Sequence, residues 1–389
     1  MKEVVIVSAV RTPMTKFRGE FADLSAPLLG SYPLKAAVER VGLPPEKVDE
    51  VIFGNLFGSD WANPARQCVF LAGFPDSVPA LTVDRQCSSS LNALALAASM
   101  IQTGMTDIVA AGGVESYSQQ PFYVEKPSVA YPMALRFTEY KTSIKGDHMP
   151  MILTAEKLAE QYGITREECD AFAVESHQKA AAAWANGYFD EQVVPVTVPQ
   201  RKGEPLVVSR DTGVRADISM ESLGRLRPVM KADGVVTAGN ASPMNDGASA
   251  LLIMRREKAE ELGLAPLAVV KEYASAGCDP TIMGIGPVYS TRKLMERFGY
   301  TLDDFDLIEL NEAFAAQSLA CVKEMGLDMA KVNVEGGAIA IGHPNGASGG
   351  MLAARMAYAL RRRGLKRGLV TFCCGGGQGF SLVLENPDA

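Results

Sequence analysis

The chain has 389 residues, 47% hydrophobic and 21% charged, with a formal net charge of −7. That is length enough for two or three domains, and the acidic balance argues against a nucleic-acid or anionic-membrane partner, though not against a local basic patch for an anionic ligand. No apolar run approaches the roughly 20 residues of a membrane span, and seven scattered cysteines without a CxxC pair, beside only three histidines (His148, His177, His343), fit neither a disulfide framework nor a zinc site.

In chain order, Val4–Ser8 reads as a strand that begins without a secretory leader, and the C-terminal tripeptide is no peroxisomal or retention address, so the expected compartment is the cytoplasm. Ala26–Val41 has a helical pattern ending near Gly42, and Val48–Phe53 is a strand running into Gly54–Asn55. Ser88–Thr103 predicts an amphipathic helix with Leu91, Leu94, Ala98 and Ile101 on one stripe, stopped by Gly104. Asp107–Ala111 is the next strand, with Gly112–Gly113 predicted to end it. The middle, roughly 116–240, differs: 116–149 is rich in Tyr, Pro and Ser, Thr154–Tyr162 and Arg166–Asn186 are helical, and Val193–Val198 with Pro205–Val208 reads as a hairpin. It has the character of an insertion that carries binding loops.

The first order of elements then returns: Leu267–Tyr273 (strand), Ser290–Phe298 (helix), Phe305–Leu310 (strand ending at Asn311), Gly349–Arg361 (helix) and Gly368–Phe372 (strand). Asn55 precedes Cys87 by 32 positions, and Asn311 precedes His343 by 32 as well. The matching order makes duplication the better reading. The division expected is 1–115 plus 241–265 as the N-terminal half, 116–240 as the insertion, and 266–389 as the C-terminal half. The fold class is α/β, with helices packed on a parallel or mixed sheet.

Four segments carry candidate chemistry. Cys87 stands at the start of a helix, where unpaired N–H groups favour a thiolate. His343, in Gly342–His343–Pro344–Asn345–Gly346, can act as a base. Cys373 follows a strand and precedes glycines, among them Gly375, whose N–H groups can point at an oxyanion, with Cys374 on the other face. Asn311 opens Asn311–Glu312–Ala313–Phe314 at a strand end. Taken singly, each admits a structural reading: a buried thiol, a turn histidine, a core cysteine pair, a helix cap.

Together, in this order and over essentially the whole chain, the four segments resemble the thiolase family. The resemblance implies a five-layered αβαβα arrangement of duplicated βα halves. It implies reversible acyl transfer between acetyl-CoA and acyl-CoA through an acyl-cysteine, with no bound cofactor, a coenzyme A thioester as substrate, and a homodimer or homotetramer. It assigns Cys87 as nucleophile, His343 as its base and Cys373 as the second acid/base. Asn311, through a water, and His343 form one oxyanion hole; the N–H groups of Cys87 and Gly375 form another. Arg215 and Ser242 become coenzyme A contacts, and Met151, Met283 and Phe314 the pantetheine and acyl wall. Four positions depart from the common pattern: Asp84, Phe372, Met230 and Pro150. Pro150 stands where short-chain members often carry a histidine, which points to acyl chains longer than acetoacetyl. Ketoacyl synthases share the superfold with a Cys-His-His site, and Asn311 with Cys373 argues against them. A non-catalytic acyl-CoA-binding or redox-sensing protein would not need Cys87, His343 and Cys373 together.

Overall fold

The computed structural model describes residues 2–129, 136–138, 140–145 and 149–389; His148 and part of the 116–149 stretch lie outside these. The first strand, β1 (Val4–Arg11), is buried at every position. The short β2 (Thr15–Lys16) is followed by α1 (Ala26–Glu39), capped by the Ser25 side chain, with proline in its first turn. Next come β3 (Glu50–Gly54), α2 (Pro64–Leu71), β4 (Ala80–Val83) and α3 (Ser89–Thr103), which Gly104 ends at φ 79°.

β5 (Ile108–Ser116) does not stop at its glycine pair. The chain needs those glycines for closeness, not for a turn. A Cβ on Gly113 would lie 2.0 Å from the Gly346 carbonyl oxygen, and one on Gly112 would lie 2.1 Å from that of Ser249.

The middle segment supplies α4 (Met151–Tyr162), α5 (Arg166–Ala185) with a Thr165–Glu168 capping box, the antiparallel pair β6 (Val196–Val198) and β7 (Leu206–Val208), and α6 (Met220–Gly224). The chain returns through β8 (Asn245–Arg255) and α7 (Arg256–Glu261). The remainder is β9 (Ala268–Gly277), α8 (Gly286–Phe298), β10 (Leu307–Leu310), α9 (Ala315–Met325), α10 (Ala338–Ile341), α11 (Asn345–Arg363), β11 (Arg367–Cys374) and β12 (Gln378–Glu385).

Apart from the β6–β7 pair, the strands form one ladder, in the order β10-β11-β12-β9-β1-β8-β5-β3-β4, with β2 pairing β8 beside it. From the seam between β9 and β1, the two directions mirror each other. β1-β8-β5-β3 and β9-β12-β11-β10 both run antiparallel, antiparallel, parallel, and Val332 bridges Ile308 in parallel as β4 pairs β3. β1 pairs β8 along its length and β9 only at Val4–Ile6, so the sheets part beyond that short seam.

Side chains alternate across the sheets as a period of two requires. On β1, Val4 and Ile6 enter a core shared with α3 and α11, whereas Val5 and Val7 enter the core under α1 and α2. On β11, Val370, Phe372 and Cys374 face the α3–α11 core, and Leu369 and Cys373 face a third core with α4, α8 and α9. These cores define five layers: outer helices, sheet, the α3–α11 pair, sheet, outer helices.

Two buried ion pairs pin distant segments. Arg11 on β1 holds Asp211, which also accepts from Trp184 Nε1. Arg355 on α11 holds Glu309 on β10, with Nε 3.0 Å from Oε1.

Candidate active site

Cys87 sits on a constrained turn between β4 and α3. Its neighbour Gln86 adopts a left-handed φ of 50°, uncommon for a residue with a side chain. Asp84 secures that turn by accepting from Gln86 N–H at 2.7 Å, and Ser89 Oγ donates to the Gln86 carbonyl at 2.6 Å. The Cys87 thiol is pushed up to about 12, mainly by burial and then by the neighbouring Cys374. The backbone N–H groups of Gly375 and of Cys87 itself oppose the rise; Glu115 adds to it. The helix start therefore does not yield a resting thiolate. Desolvation outweighs it, and Cys87 rests as a thiol that needs a base.

His343, 5% exposed, precedes α11. Its Nδ1 lies 2.7 Å from Ser348 Oγ, whose own proton goes to the Pro344 carbonyl. Ser348 is then the acceptor, Nδ1 carries the proton, and the Nε2 lone pair remains available. Burial pushes the imidazole down to about 4, so it is neutral near pH 7. Asn311 Nδ2 approaches Nε2 at 3.4 Å, and Asn311 Oδ1 is buried with no partner among the described residues.

Cys373 is fully buried at the end of β11, and its thiol is raised by burial first and then by the field of Cys87. Cys374, on the opposite face, bonds Ser88 Oγ at 3.1 Å beneath the start of α3. Gly375 is buried against Gln86, where a Cβ would lie 2.7 Å from Oε1; Gly376 and Gly377 follow at φ 79° and 80°. Asn311 is thus linked to His343 by a direct contact, and Cys87 to Cys373 and Gly375 by mutual fields.

The wall candidates fall close by. Met283 and Phe314 share the third core with Cys373, and Met151, the first residue of α4, packs on it. Ser242 donates both N–H and Oγ–H to the Ala313 carbonyl, at 2.9 Å each. Arg215 differs: the residue is exposed, its backbone N–H donates to Nδ1 of His177 on α5 at 3.1 Å, and its guanidinium Nη2 lies 3.2 Å from Nε2 of the same ring. Its segment still borders the site, because a Cβ on Gly213 would lie 2.8 Å from the Ala340 carbonyl.

Three contributors escape a sequence reading. Ser348 fixes the His343 tautomer, Asn245 Oδ1 accepts from His343 N–H at 2.9 Å, and Glu115 gathers N–H groups from both halves. Ser348 could have been found as the residue five after a candidate base in a helix start; the other two carry no local signal. Among the described residues no cluster of side chains could hold a metal, and no helix is long and apolar enough to cross a membrane.

Residues 4–257 match the model of the thiolase N-terminal domain, and residues 264–386 that of the thiolase C-terminal domain. The chain is 48% identical to an acetyl-CoA acetyltransferase of Chromobacterium violaceum, over 99% of this chain and 100% of that one. It is 47% identical to one of Pseudomonas aeruginosa, over 99% of each. Among solved structures, the acetyl-CoA acetyltransferase of Bacillus anthracis superposes with a TM-score of 0.95 at 44% identity, over 99% of both chains. The human mitochondrial 3-ketoacyl-CoA thiolase in complex with CoA superposes at 0.93 and 38%, over 99% of this chain and 98% of that one. The chain belongs to the thiolase family of acyltransferases.

Proposed function

We propose that the protein cleaves 3-ketoacyl-CoA thioesters, and forms them in reverse, by a ping-pong route through an acyl group on Cys87. In the cleavage direction His343 Nε2 takes the Cys87 thiol proton as the sulfur attacks the 3-keto carbon; the new S–C bond forms as the carbon–carbon bond breaks, and the departing acetyl-CoA is protonated at its α-carbon. In the synthetic direction the sulfur attacks the thioester carbonyl of acetyl-CoA, the bond to the coenzyme A sulfur breaks, and the departing thiol takes the proton from His343. Cys373 exchanges a proton with the α-carbon of acetyl-CoA in the carbon–carbon step. Asn311 and His343 hold one oxyanion; the N–H groups of Cys87 and Gly375 hold the other. Arg215 and Ser242 contact coenzyme A, and Met151, Met283 and Phe314 line the path of the acyl chain. The observation that carries this reading is the buried, neutral His343, with its tautomer fixed by Ser348 Oγ at 2.7 Å and its Nε2 facing Asn311 at 3.4 Å.

The same reading divides the chain into an N-terminal half (1–115 plus 241–265), an insertion that holds coenzyme A (116–240) and a C-terminal half (266–389). It takes the protein to be a homodimer or homotetramer in the cytoplasm, in keeping with seven free cysteines. The test is mass spectrometry after mixing with acetyl-CoA. An acetyl group on Cys87, retained in Cys373→Ser while carbon–carbon bond formation stops, is the expected result. Acetylation of Cys373 instead would reverse the two roles.

A further inference from the structure

Glu115 at the end of β5 is 0% exposed, and no cation pairs with it among the described residues. Four N–H groups converge on its carboxylate. Oε1 accepts from Asn55 Nδ2 at 3.1 Å and from Phe57 N–H at 3.2 Å. Oε2 accepts from Leu56 N–H at 3.1 Å and from Gly346 N–H at 2.9 Å. Three of these donors follow β3, in the half that carries Cys87. The fourth is in the first turn of α11, three residues after His343. That turn has no side-chain cap of its own, since Pro344 occupies the cap position.

The contact is tight as well as polar. Gly346 has no room for a side chain: a Cβ there would lie 2.6 Å from the Val114 carbonyl and 2.9 Å from Glu115 Oε2. Farther along, Gly350 N–H donates to Ser90 Oγ at 2.9 Å, and a Cβ on Gly349 would lie 2.3 Å from Leu91 N. The starts of α3 and α11 are thus interlocked, and Glu115 is the acid at the joint.

We propose that Glu115 is a positioning residue whose ionised carboxylate holds the first turn of α11, and with it His343, in register with Cys87. The proposal rests on the acyl-cysteine reading and adds the group that aligns its two halves. Ionisation matters because four donors need an acceptor-only group. A protonated carboxyl, or a glutamine, turns a donor toward N–H groups that are themselves donors.

Burial raises the carboxyl to about 8, opposed by the N–H bonds from Phe57, Gly346 and Leu56 and assisted by Asp84. The groups that face it are Asp84 and Cys87 before α3, Tyr117 after β5, and Tyr123 and Tyr140 of the loop beyond. The tyrosines are raised above 10, Cys87 is raised to about 12, and His343 is lowered to about 4. Above pH 8 the carboxylate accepts all four donors; below it the alignment loosens.

The experiment is single-turnover acetylation of Cys87 by acetyl-CoA, followed from about pH 6.5 to about pH 9.5. The wild-type rate constant should climb with an inflection near 8. Glu115→Gln should be about 30-fold slower at the upper end, as expected for a slightly misplaced base. It should show no inflection and leave the acetyl-CoA concentration for half-saturation within about twofold. A merely structural role would lower yield or stability without removing the inflection. A Glu115→Gln profile that keeps the inflection, or a rate equal to wild type, overturns the proposal. If that variant does not fold, the wild-type profile decides, and a flat one overturns the proposal while leaving the acyl-cysteine intact. Absence of acetyl-enzyme at every pH would instead overturn the reading on which the proposal rests.

Discussion

Ser348→Ala probes the tautomer of His343 with almost no change of volume. The hydroxyl accepts from Nδ1–H at 2.7 Å in a site where the imidazole is 5% exposed. Without it, the buried N–H loses its acceptor, at a cost of about 1–3 kcal/mol. The ring can avoid that cost by moving its proton to Nε2 once the Asn311 amide turns its unpartnered Oδ1 toward it, since the Nδ2 that stands 3.4 Å away is itself a donor. The lone pair needed for the Cys87 thiol then lies on the wrong nitrogen. The same energy sets the loss in the productive tautomer, roughly 5- to 150-fold. Cys87 sets a comparable demand, because a thiol raised to about 12 gives negligible thiolate unaided. The assay is stopped-flow release of coenzyme A during the first turnover, where acetylation is observed alone. Acetylation should slow by that factor, with the acetyl-CoA dependence of the rate unchanged. A rate within about twofold of wild type would refute the tautomer argument, since the smallest cost considered already exceeds that factor.

Other consequences are open to measurement. His343 is lowered to about 4 by burial, so its base form persists above that pH; ring-nitrogen NMR shifts should stay at neutral Nδ1–H values from about pH 5.5 to about pH 8. Charging within that interval would show that water reaches the ring. Arg355→Met leaves Glu309 buried and unpaired, and should cost about 3–5 kcal/mol in urea unfolding, whereas the double variant with Glu309→Met should recover most of it. Equal losses in single and double variants would mean that packing, not charge, sets the cost. For acyl length, six- or eight-carbon 3-ketoacyl-CoA should give higher kcat/KM than acetoacetyl-CoA, by up to roughly tenfold for two buried methylenes. A strong preference for acetoacetyl-CoA would place the limit elsewhere than at Pro150 and Met151.

The sequence makes legible those parts of the molecule that depend on local pattern. The stripe of Leu91, Leu94, Ala98 and Ile101 marks α3, and the equal spacing of Asn55–Cys87 and Asn311–His343 exposes a duplication that the mirrored strand order bears out. What depends on a partner far along the chain stays hidden. β8 begins with Asn245, Asp246 and Gly247, residues common in turns, and no strand is expected there from the sequence, yet it lies buried between β1 and β5. Gly112 and Gly113 read as a strand end because the sequence cannot show Ser249 and Gly346 pressing against them. The resting state of Cys87 is hidden for a related reason: a helix start favours the thiolate, and only the packed structure reveals how much water has been removed around it.

The meeting of α3 and α11 at their starts carries a further consequence. Each helix start bears roughly half a positive elementary charge from its unpaired N–H groups. Two of them brought together in a dry interior repel, and hydrophobic packing behind them must hold them in place. The resting junction is therefore electrostatically frustrated, relieved in part by the Glu115 carboxylate and further by any oxyanion that forms there during turnover. Heat resistance and turnover make opposite demands on this spot. Substitutions that replace the polar groups by well-packed apolar ones would raise the melting temperature and abolish activity together, the trade expected where a fold keeps a destabilised site for use.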